Sequence, residues 1–187
     1  MPDVIASILG RVSSPRLCEP APSADHVRQI LQCAVQAPDH GRLKPWQFIV
    51  VSGAGLQRLG QIFVDAKRAE VGPDLDEKTA EKLLSMPSRA PMIVIACAKV
   101  TIGHKVPEQE QFLAVGAAVQ NMQLAARELG YGAMWRTGEM SEHAFVKAAL
   151  GLKDADGIVA FLYLGTKATE DRISTEGDIE NCVEYWD

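Results

Sequence analysis

The chain is poor in cysteine, with four residues at positions 18, 33, 97 and 182 and no Cys-x-x-Cys pair among them. No two histidines stand at metal-ligand spacing. A disulfide framework and a structural zinc site are therefore not expected, and the thiols read as reduced, as in a cytoplasmic protein. No apolar run approaches the roughly 20 residues needed to cross a bilayer, so no membrane partner is expected. The opening Met1-Pro2-Asp3-Val4 lacks the basic start of a signal peptide. A basic stripe is missing too. Up to Gly165, 17 basic residues balance 17 acidic ones, and the surplus behind the net charge of −5 lies in the tail, where seven acidic residues face Lys167 and Arg172. Nucleic acid is not an expected partner. Neither an internal repeat nor a nucleophile beside a base stands out.

What is present is a regular alternation of helix and strand patterns over 187 residues, 47% of them apolar, enough for one domain with its own core. Val4, Ile5, Ile8 and Leu9 predict a short helix. Ser23 reads as an N-cap for a second, carrying Val27, Ile30, Leu31, Ala34 and Val35 at helical spacing and stopped by Pro38. Residues 46–52 are β-branched and aromatic and predict a strand. Helices are expected over 56–69 and 76–86, and a buried strand over the apolar run 91–100. Pro107 opens the longest helix, to about residue 129, with Gly130 as its stop. Its middle is apolar nearly all round, which predicts burial on every side and hence a partner chain. A strand at 131–136, a helix at 141–150 and a strand at 158–164 complete the pattern. The expected class is α+β, with a central mixed or antiparallel sheet flanked by helices.

Three segments carry candidate chemistry. Arg11-Val12-Ser13 sets a guanidinium and a hydroxyl close together, a pairing that suits a phosphate. Ala37-Pro38-Asp39-His40-Gly41-Arg42-Leu43-Lys44-Pro45-Trp46 is a loop that leads into a strand. Gly130-Tyr131-Gly132-Ala133-Met134-Trp135-Arg136-Thr137-Gly138 is a glycine break, a short strand and its exit. Cations and aromatics where strands begin and end are typical of ligand sites. Arg136 requires an anionic partner if it is buried. A competing motif, Gly53-Ala54-Gly55, follows a strand and precedes a helix, but Arg58 stands where a dinucleotide turn needs a third small residue. It reads as a plain strand–helix turn.

Together these segments resemble the FMN-dependent nitroreductase family, and most closely its small single-domain members. The likeness runs over nearly the whole chain to Thr166, including Ala160-Phe161-Leu162-Tyr163-Leu164-Gly165-Thr166 at the end of the core and His104-Lys105-Val106-Pro107 before the long helix. The resemblance implies that Arg11, Val12 and Ser13 hold the FMN phosphate and ribityl chain. Valine stands at the middle position, often basic in the family, and Arg16 is the candidate for the missing charge. It implies that Gln36 and His40 lie against the flavin and that Trp135, Arg136 and Thr137 contact it at the strand end. It associates Ala125, Ala126, Arg127, Glu128, Leu129 and Gly130 with the nicotinamide cofactor. Arg42 and Lys44 replace the asparagine and glutamine of commoner members.

The function so implied is hydride transfer from NADH or NADPH through FMN to a small-molecule electron acceptor, a nitro compound or quinone, by a ping-pong mechanism without a catalytic side chain. The expected assembly is a homodimer with flavin sites at the interface. One domain would span 1–187, with a core at 1–166. The acidic tail at 167–187, which contains Ile173, Ile179, Val183, Tyr185 and Trp186, would cross onto the partner. The alternative is a protein that stores or senses flavin without turnover.

Overall fold

The apolar run around Ile93 forms the middle of the sheet. In the computed structural model, which describes residues 3–170, 174, 177 and 179–186, β3 (Met92–Ala98) is buried at all seven positions. It pairs on one side with β2 (Trp46–Ser52) and on the other with β5 (Gly157–Lys167). The short β4 (Gly132–Arg136) pairs with β5, and the two-residue β1 (Leu17–Cys18) pairs with the end of β5. Every one of these pairings is antiparallel. The mixed sheet allowed by the sequence is thus not realised among the described residues. The turn at Gly53 accordingly opens no parallel βαβ unit, as its arginine predicts.

Strand alternation divides the core in two. Val94, Ala96 and Ala98, with Leu162 and Leu164, face α2 (Ala24–Ala34) and α5 (Glu108–Glu128). Ile93, Ile95 and Cys97, with Phe161 and Tyr163, face α3 (Ala54–Val71), α4 (Glu77–Ser85) and α7 (Ala144–Ala149). Phe63 meets Phe161 edge-on at 5.6 Å. Burial pushes the Cys97 thiol up to about 12, so it stays protonated and inert. Polar side chains set the helix starts. The Ser23 hydroxyl accepts the His26 N–H at 3.2 Å, and the Asp76 carboxylate accepts that of Thr79 at 2.9 Å. A buried carboxylate ties the loop before β5 to the end of β3. Asp156 accepts from the Lys99 ammonium and from the backbone amides of Val100 and Lys153.

One expectation fails, and another is met only in part by a single chain. The helix read over 141–150 is broken into α6 (Glu139–Glu142) and α7. His143 is extended between them, and its Nδ1 accepts the Phe145 N–H at 3.2 Å, so the side chain starts a new helix. The long α5 is not buried all round by its own chain. Gln111, Ala114, Val115, Ala118, Val119, Met122, Gln123 and Ala126 form one buried face, and Leu113 on the far side is 63% exposed. The apolar residues are too dense for one face, and the sheet covers only one.

The first helix, α1 (Val4–Leu9), is inverted. Its one buried residue is Ser7, whose hydroxyl donates to Glu128 on α5 at 2.5 Å, while Val4, Ile5, Ile8 and Leu9 face outward. In the tail, Ile179, Val183, Tyr185 and Trp186 are exposed; Ile173 lies outside the described residues.

Candidate active site

Gly132 decides how the first segment meets β4. A Cβ here would lie 2.6 Å from Leu17 and 2.9 Å from Ser14, so only glycine admits the N-terminal loop this close. Ser14 is buried there, and its N–H donates to the Ala133 carbonyl at 2.9 Å. Arg11 and Val12 thereby enter a small hollow with Gln123, Arg127, Tyr131 and Lys167. Ser13 is exposed beside it. Three cations line this hollow, and no carboxylate does among the described residues. The Arg127 guanidinium also donates to the Gly10 carbonyl, and His26 steadies Tyr131 through a 2.8 Å bond to its hydroxyl. Arg16 is exposed and lies outside the hollow; Lys167, at the end of β5, lines it. Sequence reasoning missed Lys167 because it counted the residue with the acidic tail.

At the other end of β4, Trp135 packs toward α5 and its indole N–H donates to the Val159 carbonyl at 3.0 Å. Arg136 lies on the opposite face, with its guanidinium 6.0 Å from the centre of the Tyr163 ring. Burial raises the Tyr163 hydroxyl above the ordinary range, against the pull of Arg89 and Arg136, and its O–H donates to the Met86 carbonyl at 3.2 Å. Thr137 and Gly138 are exposed, and Gly138 turns the chain away with φ 112°. A cavity of about 510 Å³ opens here. The outer edge of β4 carries no further strand among the described residues. Because the Ala133 carbonyl faces that edge, strand alternation puts the Trp135 amide and carbonyl on it as well.

The loop before β2 is held in an unusual shape. The Asp39 carboxylate accepts the Lys44 N–H at 2.6 Å, and Arg42 and Lys44 are left-handed, with φ of 55° and 49°. Neither is a glycine, and Lys44 directly precedes Pro45, a position that disfavours helical backbone. Such strain persists where surrounding contacts fix it and is concentrated at ligand sites. His40 bonds Glu110 through Nδ1 at 2.5 Å, both side chains being exposed. Gln36 lines a separate hollow with Val4, Cys33, Asn121, Ala125 and Glu128.

The candidates therefore fall into four places. Arg11 and Val12 meet Arg127, while Trp135, Arg136 and Thr137 cluster at the far end of β4. Gln36 meets Ala125 and Glu128, and His40 stands apart. His40 touches α5 at Glu110, seventeen residues before Arg127, or about 25 Å along the axis. Residues 125–130 form no single surface. Ala126 is fully buried, Glu128 is taken by Ser7, Leu129 is half-buried and Gly130 is exposed with φ 86°.

Comparison with known proteins identifies the family and the fold. Residues 11–166 match the Nitroreductase family. The chain is 38% identical over 164 residues to the "Putative NAD(P)H nitroreductase YdjA" of Escherichia coli K12, covering 88% of each. A nitroreductase-like family protein from Bacillus cereus superposes with a TM-score of 0.82 at 22% identity, covering 100% of this chain and 97% of that one. A Desulfovibrio desulfuricans structure described as "a putative nitroreductase in complex with fmn" superposes at 0.75 with 25% identity, covering 99% and 98%. With its antiparallel sheet, its cationic hollow and its matched residues, the chain belongs to the nitroreductase family, a family of oxidoreductases.

Proposed function

We propose that the protein is an FMN-dependent NAD(P)H oxidoreductase that works as a homodimer. The observation that carries this reading is the layout along β4. A hollow with Arg11, Arg127 and Lys167 lies at one end, and Trp135, Arg136 and Thr137 lie at the other. The strand spans about 13 Å between them, long enough for a ribityl chain to separate a phosphate from a ring system. Three cations, a carboxamide and a phenol are the donor set a phosphate dianion needs, so the residues fit FMN. Bound there, FMN would supply the redox chemistry, taking a hydride from NADH or NADPH and passing electrons to a nitro compound, quinone or similar acceptor. With a quinone, the overall balance is quinone, NAD(P)H and a proton giving hydroquinone and NAD(P)+.

The chain's own residues place and polarise. Arg11 and Lys167 neutralise the phosphate, and Ser13 adds a hydroxyl. The Trp135 amide and carbonyl on the open edge of β4 offer hydrogen bonds to a ring edge. Arg136 brings positive charge to the region where electron density grows on reduction. Among the described residues no side-chain pair beside β4 is set up for acid–base work.

The separation along α5 supports the dimer. Arg11 and His40 are too far apart to serve one flavin from one chain. The outward apolar residues of α1 and the free face of α5 would be covered by a second copy, whose loop carrying His40 and Gln36 would then complete the neighbouring site. On this reading residues 1–187 form one domain, and the tail at 167–187 extends onto the partner. The protein works in the cytoplasm.

Purification and kinetics test the proposal. The isolated protein should carry FMN absorbance and oxidise NADH or NADPH when a nitroarene or quinone is added, with parallel double-reciprocal plots. A colourless protein that neither binds added FMN nor oxidises either donor would refute it. FMN binding without turnover would leave only the storage or sensing role.

A further inference from the structure

We propose that the cavity beside the end of β4 is a subsite for an electron acceptor with an aromatic or quinonoid body and an anionic substituent. Arg89, Arg136 and Lys82 would recognise the anion. The inference rests on the flavin reading above and adds a substrate class to it.

The cavity holds about 510 Å³, within the range of small-molecule sites. It lies under the α3–α4 hairpin, on the face of the sheet opposite α5. Its walls are apolar, with Phe63, Leu83, Met134 and Phe161 among them. Such walls suit a flat ring and carry no polar message of their own.

The charge at its rim carries the message. Lys82 comes from α4, Arg89 from the turn that follows and Arg136 from β4, so three elements aim cations at one cavity. None of the three forms an ion pair among the described residues. One acid among the described residues, Glu139, lines the cavity, and its carboxylate is taken by Lys67 at 2.7 Å. Both guanidinium groups lie close enough to Tyr163 for their charges to act on its hydroxyl, although its proton is given to Met86. Arg136 is half-buried against an aromatic face without a carboxylate. A half-buried guanidinium in that position is best compensated by an incoming anion, and its planar fork selects carboxylate or phosphate.

Position links the cavity to turnover. Trp135, Thr137 and Gly138 line it too, so a ring lodged there sits beside the strand end assigned to the flavin. Carboxylate and phosphate share this recognition chemistry, and the nicotinamide donor carries phosphates of its own. We assign the anion to the acceptor because the apolar walls enclose a compact aromatic body next to the charge.

The test compares 4-nitrobenzoate with its neutral isostere 4-nitrobenzamide as acceptors for the FMN-loaded dimer. Wild type should favour the acid by tenfold or more in kcat/KM, and Arg89→Gln should bring the ratio near one. A binding arm does not depend on turnover: calorimetric titration of the redox-inert 2-naphthoate and 2-naphthamide into wild type and R89Q, with the naphthoate preference lost in the variant. Equal kcat/KM for the two nitro acceptors, or equal affinity for the two naphthyl probes, would overturn the proposal. A single-turnover arm compares reduction by NADH with reduction by the neutral 1-benzyl-1,4-dihydronicotinamide. If R89Q slows only NADH and leaves the acceptor ratio intact, the anion recognised is the donor's phosphate and the assignment to the acceptor is wrong. A protein that binds no FMN would remove the oxidoreductase reading, while the naphthoate titration would still report on the cavity.

Discussion

Removing the Arg11 side chain should weaken FMN binding without weakening riboflavin binding. Of the three cations in the hollow, Arg127 is partly committed to the Gly10 carbonyl, and altering it would disturb the docking of α1. Arg11 has no such structural duty among the described contacts, so Arg11→Ala reports on the phosphate more cleanly. A hydrogen bond to a charged group contributes roughly 1.5–3 kcal/mol. Each ~1.4 kcal/mol is a factor of ten in Kd. The full range corresponds to a loss of about 10- to 150-fold. Lys167 and Arg127 remain to hold the phosphate, which places the expected loss in the lower part, about 10- to 30-fold. The assay is titration of flavin-free protein with FMN or riboflavin, read by quenching of flavin fluorescence. Riboflavin carries no phosphate, so its Kd should agree between wild type and variant. An FMN Kd within twofold of wild type would show that the phosphate binds elsewhere. An equal loss for both flavins would show that the variant damaged the fold or the ring site.

Three further outcomes are expected. Burial would raise the Asp156 carboxyl, but bonds from Lys99 and two backbone amides hold it below the usual range; its stabilisation is therefore complete above about pH 4 and is lost as pH falls through the lowered folded value. Asp156→Asn should cost roughly 3 kcal/mol at neutral pH, a fall in Tm of about 6–12 °C, and melting curves should show that gap shrinking in acid; an unchanged Tm at pH 7 would contradict the reading. Gly132→Ala should force the Ser14 loop off β4, destabilising the protein by about 1–3 kcal/mol and raising the FMN Kd; a variant with wild-type melting and FMN affinity would refute the close approach. In the His40→Ala variant, FMN should dissociate faster while the pH–rate profile keeps its shape, because the imidazole positions the ring and transfers no proton; a limb of the profile that vanishes only in this variant would make His40 an acid–base group.

Most of the scaffold was legible from local pattern. The strand at Trp46–Ser52 and the N-cap Ser23 appear where residue type alone places them, because capping and β-branching act over a few residues. The split at His143 was hidden because Val146 and its neighbours continue the helical period across a side chain that caps instead of continuing. Helix α5 was legible as an apolar helix, but periodicity reports how apolar a helix is and not what covers it. In the candidate site, Arg11 and Trp135 were visible by type and position. Lys167 was not, because its role depends on β5 bringing it beside a loop more than 150 residues earlier. Lys82 and Arg89 looked like ordinary surface charge on a polar hairpin; their meaning arises only when Arg136 and Tyr163 are folded beneath them.

The free rim of β4 has a consequence for how the protein must be made. An uncovered strand edge is a template on which another chain can add itself. In a chain just released from the ribosome, that edge carries no further strand among the described residues, and the apolar residues of α1 are exposed. The species most prone to clump is then the newly folded, empty, single subunit. Flavin laid along β4 would screen the rim, and a second subunit would screen the helix. Cofactor supply during synthesis should therefore govern soluble yield as well as activity, and cells starved of flavin should deposit this protein in inclusion bodies.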